Sequence, residues 1–160
     1  MRHFTLRDFA PPDQAAVRSL IEAGLHEHWG KAPDDPSINA DLVDLAASYA
    51  DDRIVVAVDG ERVVGCGIVR RGADSQAGPT TAVIVRMSVD PSRRMRGIGR
   101  AVLDELVETA RVWNVERVVL ETSSAWTAAV RFYERCGFAI THHTDGPFGR
   151  DTWFERRLDP

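Results

Sequence analysis

The residues Arg94-Met95-Arg96-Gly97-Ile98-Gly99-Arg100 combine positive charge with backbone that carries no side chain, a pairing suited to holding a phosphate ester. Upstream, Thr81 to Val89 is rich in β-branched residues and reads as a strand. Downstream, Leu103, Leu106, Ala110 and Trp113 recur every three or four residues, the period of one helix face. The glycine turn therefore opens a helix. The first amides of a helix lack internal partners and lie at the positive end of its dipole, so an anion can accept their hydrogen bonds. Gly97 and Gly99 leave room for its approach. A P-loop would require Gly-Lys followed by Ser or Thr, whereas Gly99 is followed by Arg100 and Ala101. A dinucleotide fingerprint would require a small residue where Val102 stands.

A second segment carries its own pattern. Val118-Val119-Leu120-Glu121-Thr122 reads as a strand, Ala125, Ala129, Phe132 and Cys136 mark one face of a helix, and Gly137 is placed as its C-cap. An arginine, two residues, a glycine, one residue and a glycine after a strand resembles the acyl-CoA pyrophosphate loop of the Gcn5-related N-acetyltransferase (GNAT) family. The run Ala129-Val130-Arg131-Phe132-Tyr133-Glu134-Arg135-Cys136-Gly137-Phe138 is similar to that family's last conserved helix and its exit into a strand. The two motifs and the stretch between them cover residues 81 to 143; outside that span the likeness is architectural.

The resemblance implies a single α/β domain over residues 1–160, with a mixed central sheet of about seven strands and about four flanking helices. It implies acetyl-CoA as co-substrate, no metal, and transfer of the acetyl group to a primary amine of a small molecule or peptide by direct attack. A non-catalytic acyl-CoA-binding or regulatory module is the competing reading, and another phosphate ligand is a third. Acyl transfer from a thioester to an amine needs an aligned carbonyl, a deprotonated amine, stabilisation of the developing oxyanion and a proton for the leaving thiolate. On the family's pattern Met87, Ser88 and Val89 bind the pantetheine arm, chiefly through main chain. Arg94, Arg96, Gly97, Ile98, Gly99 and Arg100 hold the pyrophosphate, and Ala129 and Phe132 complete the cofactor side. Tyr133 falls where relatives place a tyrosine that protonates the thiolate; a phenol and a thiol have close reference pKa values, and packing against the sheet is the plain alternative. Glu121, at a strand end, corresponds to a glutamate that some relatives use through water as general base, and a solvated strand-end carboxylate is its alternative.

One position departs from the family. Relatives commonly carry an asparagine three residues before the alanine matching Ala129, and here Trp126 replaces it. An indole offers one donor and no acceptor, so that asparagine's contact does not carry over. Trp126 packs on pantetheine, walls the acceptor cleft or anchors a helix start; the sequence leaves all three open. The acceptor is equally open. Arg86 alternates with Ile84 and Ser88 and can attract a carboxylate or form a salt bridge; Asp41, Asp44 or Glu22 can attract a cationic amine. Glu22, His26 and His28 lie in the helix-to-loop region on the acceptor side. By strand alternation at most one of His142 and His143 reaches a cleft there.

Composition agrees with an enzyme-sized domain. A chain of 160 residues, 44% of them hydrophobic, can bury about two thirds of its unfolded surface. The net charge of −4 argues against nucleic acid as main partner, while Arg93, Arg94, Arg96 and Arg100 cluster as a polyanionic cofactor would require. Cys66 and Cys136 are the only cysteines, which points to a reducing cytoplasm and to small buried side chains rather than nucleophiles. No apolar run reaches membrane-spanning length. Family members associate through sheet edges or terminal strands, so a homodimer is a possible assembly.

The coarse order is strand, two helices, three strands, helix, strand, helix, two strands. Phe4 to Phe9 reads as the first strand and Pro12-Asp13 starts a helix to about Leu25. Ile38, Leu42, Leu45 and Tyr49 share a second helix face. Arg53 to Val58 and Arg62 to Arg70 form a hairpin about Asp59-Gly60. Lys31 to Pro36 and Arg71 to Thr80 are loop-like, and a loop Asp145-Gly146-Pro147-Phe148-Gly149 precedes a final strand from Asp151 to Leu158.

Overall fold

Runs of valine and isoleucine make strands because branched side chains pack well on a pleated surface. The computed structural model describes residues 3–29, 37–72 and 78–159, so Lys31 to Pro36 and the middle of the Arg71 to Thr80 loop lie outside it. Its strands are β1 Thr5–Asp8, β2 Arg53–Asp59, β3 Arg62–Arg71, β4 Thr81–Val89, β5 Arg117–Ser123, β6 Ala139–Gly146 and β7 Gly149–Arg157. The helices are α1 Gln14–Trp29, α2 Leu45–Ser48, α3 Ile98–Val112 and α4 Thr127–Arg135. One seven-stranded sheet has the order β1-β2-β3-β4-β5-β7-β6. Only β4 and β5 run parallel. The α/β fold with a mixed sheet is the expected one.

Two cores lie on the two faces. Leu103, Leu106 and Ala110 of α3 and Tyr133 of α4 bury themselves with Val118, Leu120 and Phe154 on one face. Val17 and Ile21 of α1 and Leu45 of α2 pack with Val56, Cys66 and Ile68 on the other. Gly67 permits the close approach of α3, since a Cβ there would lie 2.5 Å from Met87 Sδ and 2.7 Å from Leu106 Cδ1.

Several boundaries differ from those read in the sequence. α1 follows a 3-10 turn at Pro11–Asp13 and continues to Trp29, four residues past Leu25. The second helix is broken into a 3-10 turn at Ala40–Leu42 and the single turn of α2. The break has a local cause: the Asp44 carboxylate accepts the Ala47 amide proton and restarts the chain as an N-cap, while Gln14 binds the freed Leu42 carbonyl and Leu45 amide. Leu42, Leu45 and Tyr49 are buried nevertheless. The first hairpin turns about Gly60-Glu61, with Asp59 paired to Arg62. The last connection is a tight turn at Pro147-Phe148, because Gly146 and Gly149 already pair.

Candidate active site

The cleft begins where two strands part. The β4–β5 ladder holds from Thr81–Arg117 to Val83–Val119 and stops there. Beyond it the β4 edge from Ile84 onward has no neighbouring strand, so its backbone groups face open space and can pair with an extended ligand. A bulge helps to turn the strand: register slips between Cys66 and Ile68 opposite Arg86, which has φ 57°. The buried Cys66 thiol donates to the Arg86 carbonyl at 3.5 Å.

The bulge changes which way side chains point. Arg86 does not share a face with Ile84, as strict alternation predicts; Ile84 packs under α3, while Arg86 turns to the α1 face. There its guanidinium grips Asp41 at 3.0 and 2.7 Å, and Asp41 also accepts from Tyr49 Oη at 2.6 Å. Arg86 is thus engaged in an internal pair. Alternation resumes after the bulge, with Ser88 facing α1 and Met87 and Val89 packed on the α3 side.

The glycine turn has the expected character. Met95 and Gly97 have φ 63° and 81°, and the first bond of α3 runs from Ala101 N–H to Gly97 C=O. The amides of Ile98, Gly99 and Arg100 therefore precede the helix ladder. Gly99 presses on α4, a Cβ there lying 3.4 Å from Phe132 Cζ. This geometry fits a pyrophosphate: an uncapped helix start approached by a left-handed turn with no side chain on Gly97.

The arginines are more engaged than their clustering implies. Arg94 forms two 2.6 Å bonds to Glu27 in the last turn of α1. Arg93 pairs with Asp59, and Arg100 with Asp104 at 3.2 Å. Arg96 lines a separate hollow with His3, Phe4 and Val64, and the Ile98 side chain is buried beside Gly65.

The cleft measures about 420 Å³, within the range of small-ligand sites. Met87, Ser88, Val89, Arg94 and Gly99 line it from the β4 side; Ala129, Phe132, Tyr133 and Glu121 line it from the other. Of the residues singled out in sequence, Arg96, Gly97, Ile98 and Arg100 do not line the main cavity with their side chains. The last three belong to the turn and first residues of α3, where the amides of Ile98 and Arg100 precede the helix ladder.

Tyr133 is buried, with its ring against Phe132, Phe138 and Phe154. Burial, reinforced by Cys136, pushes its pKa well above the ordinary phenol value. Tyr133 lines the cleft, and its hydroxyl has no hydrogen-bond partner among the described residues. Glu121 pairs across strands with Trp153 and shares its face with Asp151. Desolvation, then the Asp151 charge, raises the Glu121 pKa. A protonated phenol and a carboxylate of raised basicity on one cleft are groups that can donate and accept protons.

Sequence reasoning missed the contacts that cross the cleft. His28 stacks on Trp126 at 4.0 Å, and Trp126, half-buried and outside both cores, lines the cavity as a wall rather than a core anchor. Burial lowers the His28 pKa, while the Arg94 guanidinium lowers that of Glu27. Glu22 pairs with Arg18. His142 stacks on Trp153, His143 bonds Thr152, and neither lines the cleft.

Comparison with known proteins agrees with this geometry. The family model for acetyltransferase (GNAT) proteins matches residues 15–138. IAA acetyltransferase of Azospirillum brasilense is 34% identical over 139 residues, 86% of this chain and 84% of that one. Rat N-acetyltransferase 8B is 31% identical over 107 residues, 65% of this chain, which spans only 48% of that relative. The structure of yncA from Salmonella typhimurium, solved with its cofactor acetyl-CoA, superposes with a TM-score of 0.76 at 19% identity, covering 99% of this chain and 95% of that one. No helix among the described residues is long and apolar enough to cross a membrane. The chain belongs to the acetyltransferase (GNAT) family.

Proposed function

We propose that residues 1–160 form one N-acetyltransferase domain that moves an acetyl group from acetyl-CoA to a primary amine of a small molecule or peptide by direct attack, without a covalent enzyme intermediate. The observation that carries this reading is the parting of β4 from β5, which sets the Tyr133 hydroxyl and the Glu121 carboxylate on one cleft beside the open amides of α3. Acetyl-CoA supplies an activated acyl group on a thiol leaving group. The backbone of Met87, Ser88 and Val89 pairs with the pantetheine arm, and Ala129 and Phe132 flank it. Gly97, Ile98, Gly99 and Arg100 receive the pyrophosphate through their amides, with Arg94 and Arg96 adding charge. Glu121 accepts the amine proton through water, and Tyr133 Oη delivers a proton to the sulfur. Direct attack is supported by the two thiols: burial pushes Cys66 up to about 12 and raises Cys136, so neither is poised as a nucleophile. Free buried cysteines also suit the cytoplasm.

The test is calorimetric titration with acetyl-CoA followed by thiol release against a panel of amines. Tyr133→Phe keeps the ring contacts and removes the proton, so turnover falls by about 10²-fold or more while acetyl-CoA affinity is kept. Unchanged turnover in that variant removes Tyr133 from the chemistry. Binding without turnover on every amine favours the non-catalytic module, and no binding overturns the reading.

A further inference from the structure

The end of α1 lines the cleft through Leu25 and His28. His28 stacks on Trp126 with ring centroids 4.0 Å apart at 25°, and Trp29 lies 5.3 Å from Trp126 and 5.4 Å from Phe148. Three elements distant in sequence are thereby joined by ring contacts: the last turn of α1, the start of α4 and the β6–β7 turn. Glu121, Asp151 and Trp153 share one sheet face, and His28 and Trp126 of the bridge line the same cavity as Glu121. The rings of His28, Trp29, Trp126 and Phe148 are in contact with one another, so no extended chain passes between them. The floor offers carboxylates and flat rings. The two cleft arginines that turn towards α1 and its neighbours are already occupied, Arg86 by Asp41 and Arg94 by Glu27.

We propose that this aromatic bridge, with Trp126 as the specificity-determining residue, selects small primary amines bearing a flat apolar body and excludes polypeptide chains. The proposal rests on the acetyl-transfer reading above. An ammonium group beside Glu121 and Asp151 is electrostatically matched, and its apolar body stacks on Trp126 or Trp153, where ring faces attract both apolar surface and cations. A free amino acid with an acidic side chain is mismatched, since it would bring carboxylates beside Glu121 and Asp151, where Arg86 and Arg94 are engaged and Arg135 lies at the opposite end of α4 from Trp126.

The experiment uses the whole chain in two readouts. Calorimetry of the CoA-saturated protein measures binding of phenethylamine, of an alanine-led tripeptide and of aspartate, independently of chemistry; thiol release with acetyl-CoA then measures kcat/KM for each. Phenethylamine is expected to bind and to be preferred by at least about tenfold. Trp126→Ala and, separately, Phe148→Ala at the half-exposed turn are expected to weaken that preference and admit the tripeptide, and Phe148→Ala, outside the cavity lining, leaves acetyl-CoA affinity unchanged. Equal or better use of the tripeptide or of aspartate by the unaltered chain overturns the proposal, as does an unaltered preference in both variants. Selective phenethylamine binding without thiol release supports the acceptor assignment and counts against the catalytic reading instead.

Discussion

In the proposed mechanism one physical effect serves Tyr133 and Glu121 in opposite ways. Burial raises the Tyr133 pKa and holds the phenol protonated, while partial desolvation and the Asp151 charge raise that of Glu121, still exposed at its strand end, and make it a better proton acceptor. If Glu121 is the base, the acid limb of the pH–rate profile lies above the ordinary glutamate range. Glu121→Gln lowers kcat by about 10²-fold and removes that limb; a limb that survives belongs to another group. Stability moves the other way. A carboxyl that titrates higher in the folded chain than in the unfolded one favours folding while protonated, and that advantage is lost as pH rises through the folded value. Glu121→Gln is therefore more stable relative to the unaltered chain near neutral pH than in acid, which thermal unfolding at the two pH values checks. Both residues were legible in the sequence as candidates, by type and position. Their environments were not, because desolvation depends on rings brought from Phe138, Phe154 and Trp153.

At the scale of elements, β4 and the turn after it make the site. The β-branched run and the helix after Gly99 were plain in the residue pattern. The bulge at Arg86 was not, since a register slip of one residue leaves composition untouched while reversing a side chain. The same blindness explains α2: four apolar residues at helical spacing predict a helix face, and one capping carboxylate at Asp44 divides it. Gly97 is where local conformation and binding meet. A Cβ there would touch nothing within 4 Å, but φ 81° is left-handed, so Gly97→Val costs about 1–2 kcal/mol in backbone strain and shifts the amides of α3. Chemical denaturation should show that loss and calorimetry a collapse of acetyl-CoA binding. Retained affinity would dissociate this turn from the pyrophosphate.

At the scale of the whole molecule, α1 is tied to the site by contacts that no local pattern encodes. Arg94 and Glu27 are 67 residues apart, and Arg86 and Asp41 are 45 apart. The sequence showed clustered cations but not their partners, because opposite charges are plentiful and only the fold selects among them. The Arg94–Glu27 pair sets a competition. On the proposed cofactor assignment, a pyrophosphate at the glycine turn would draw on the guanidinium that Glu27 holds in two bonds, so part of the binding energy would be offset by breaking that contact. Both side chains are near 40% exposed, at 41% and 39%, which makes the pair worth only a modest amount. Glu27→Gln is then expected to tighten acetyl-CoA binding by roughly two- to fivefold, with more salt dependence as the freed charge meets the anion. Unchanged affinity and salt dependence would place Arg94 outside the cofactor contacts, leaving the pair as a brace between α1 and the turn. Weakened binding would mean that Glu27 positions Arg94 for the phosphate instead of competing for it.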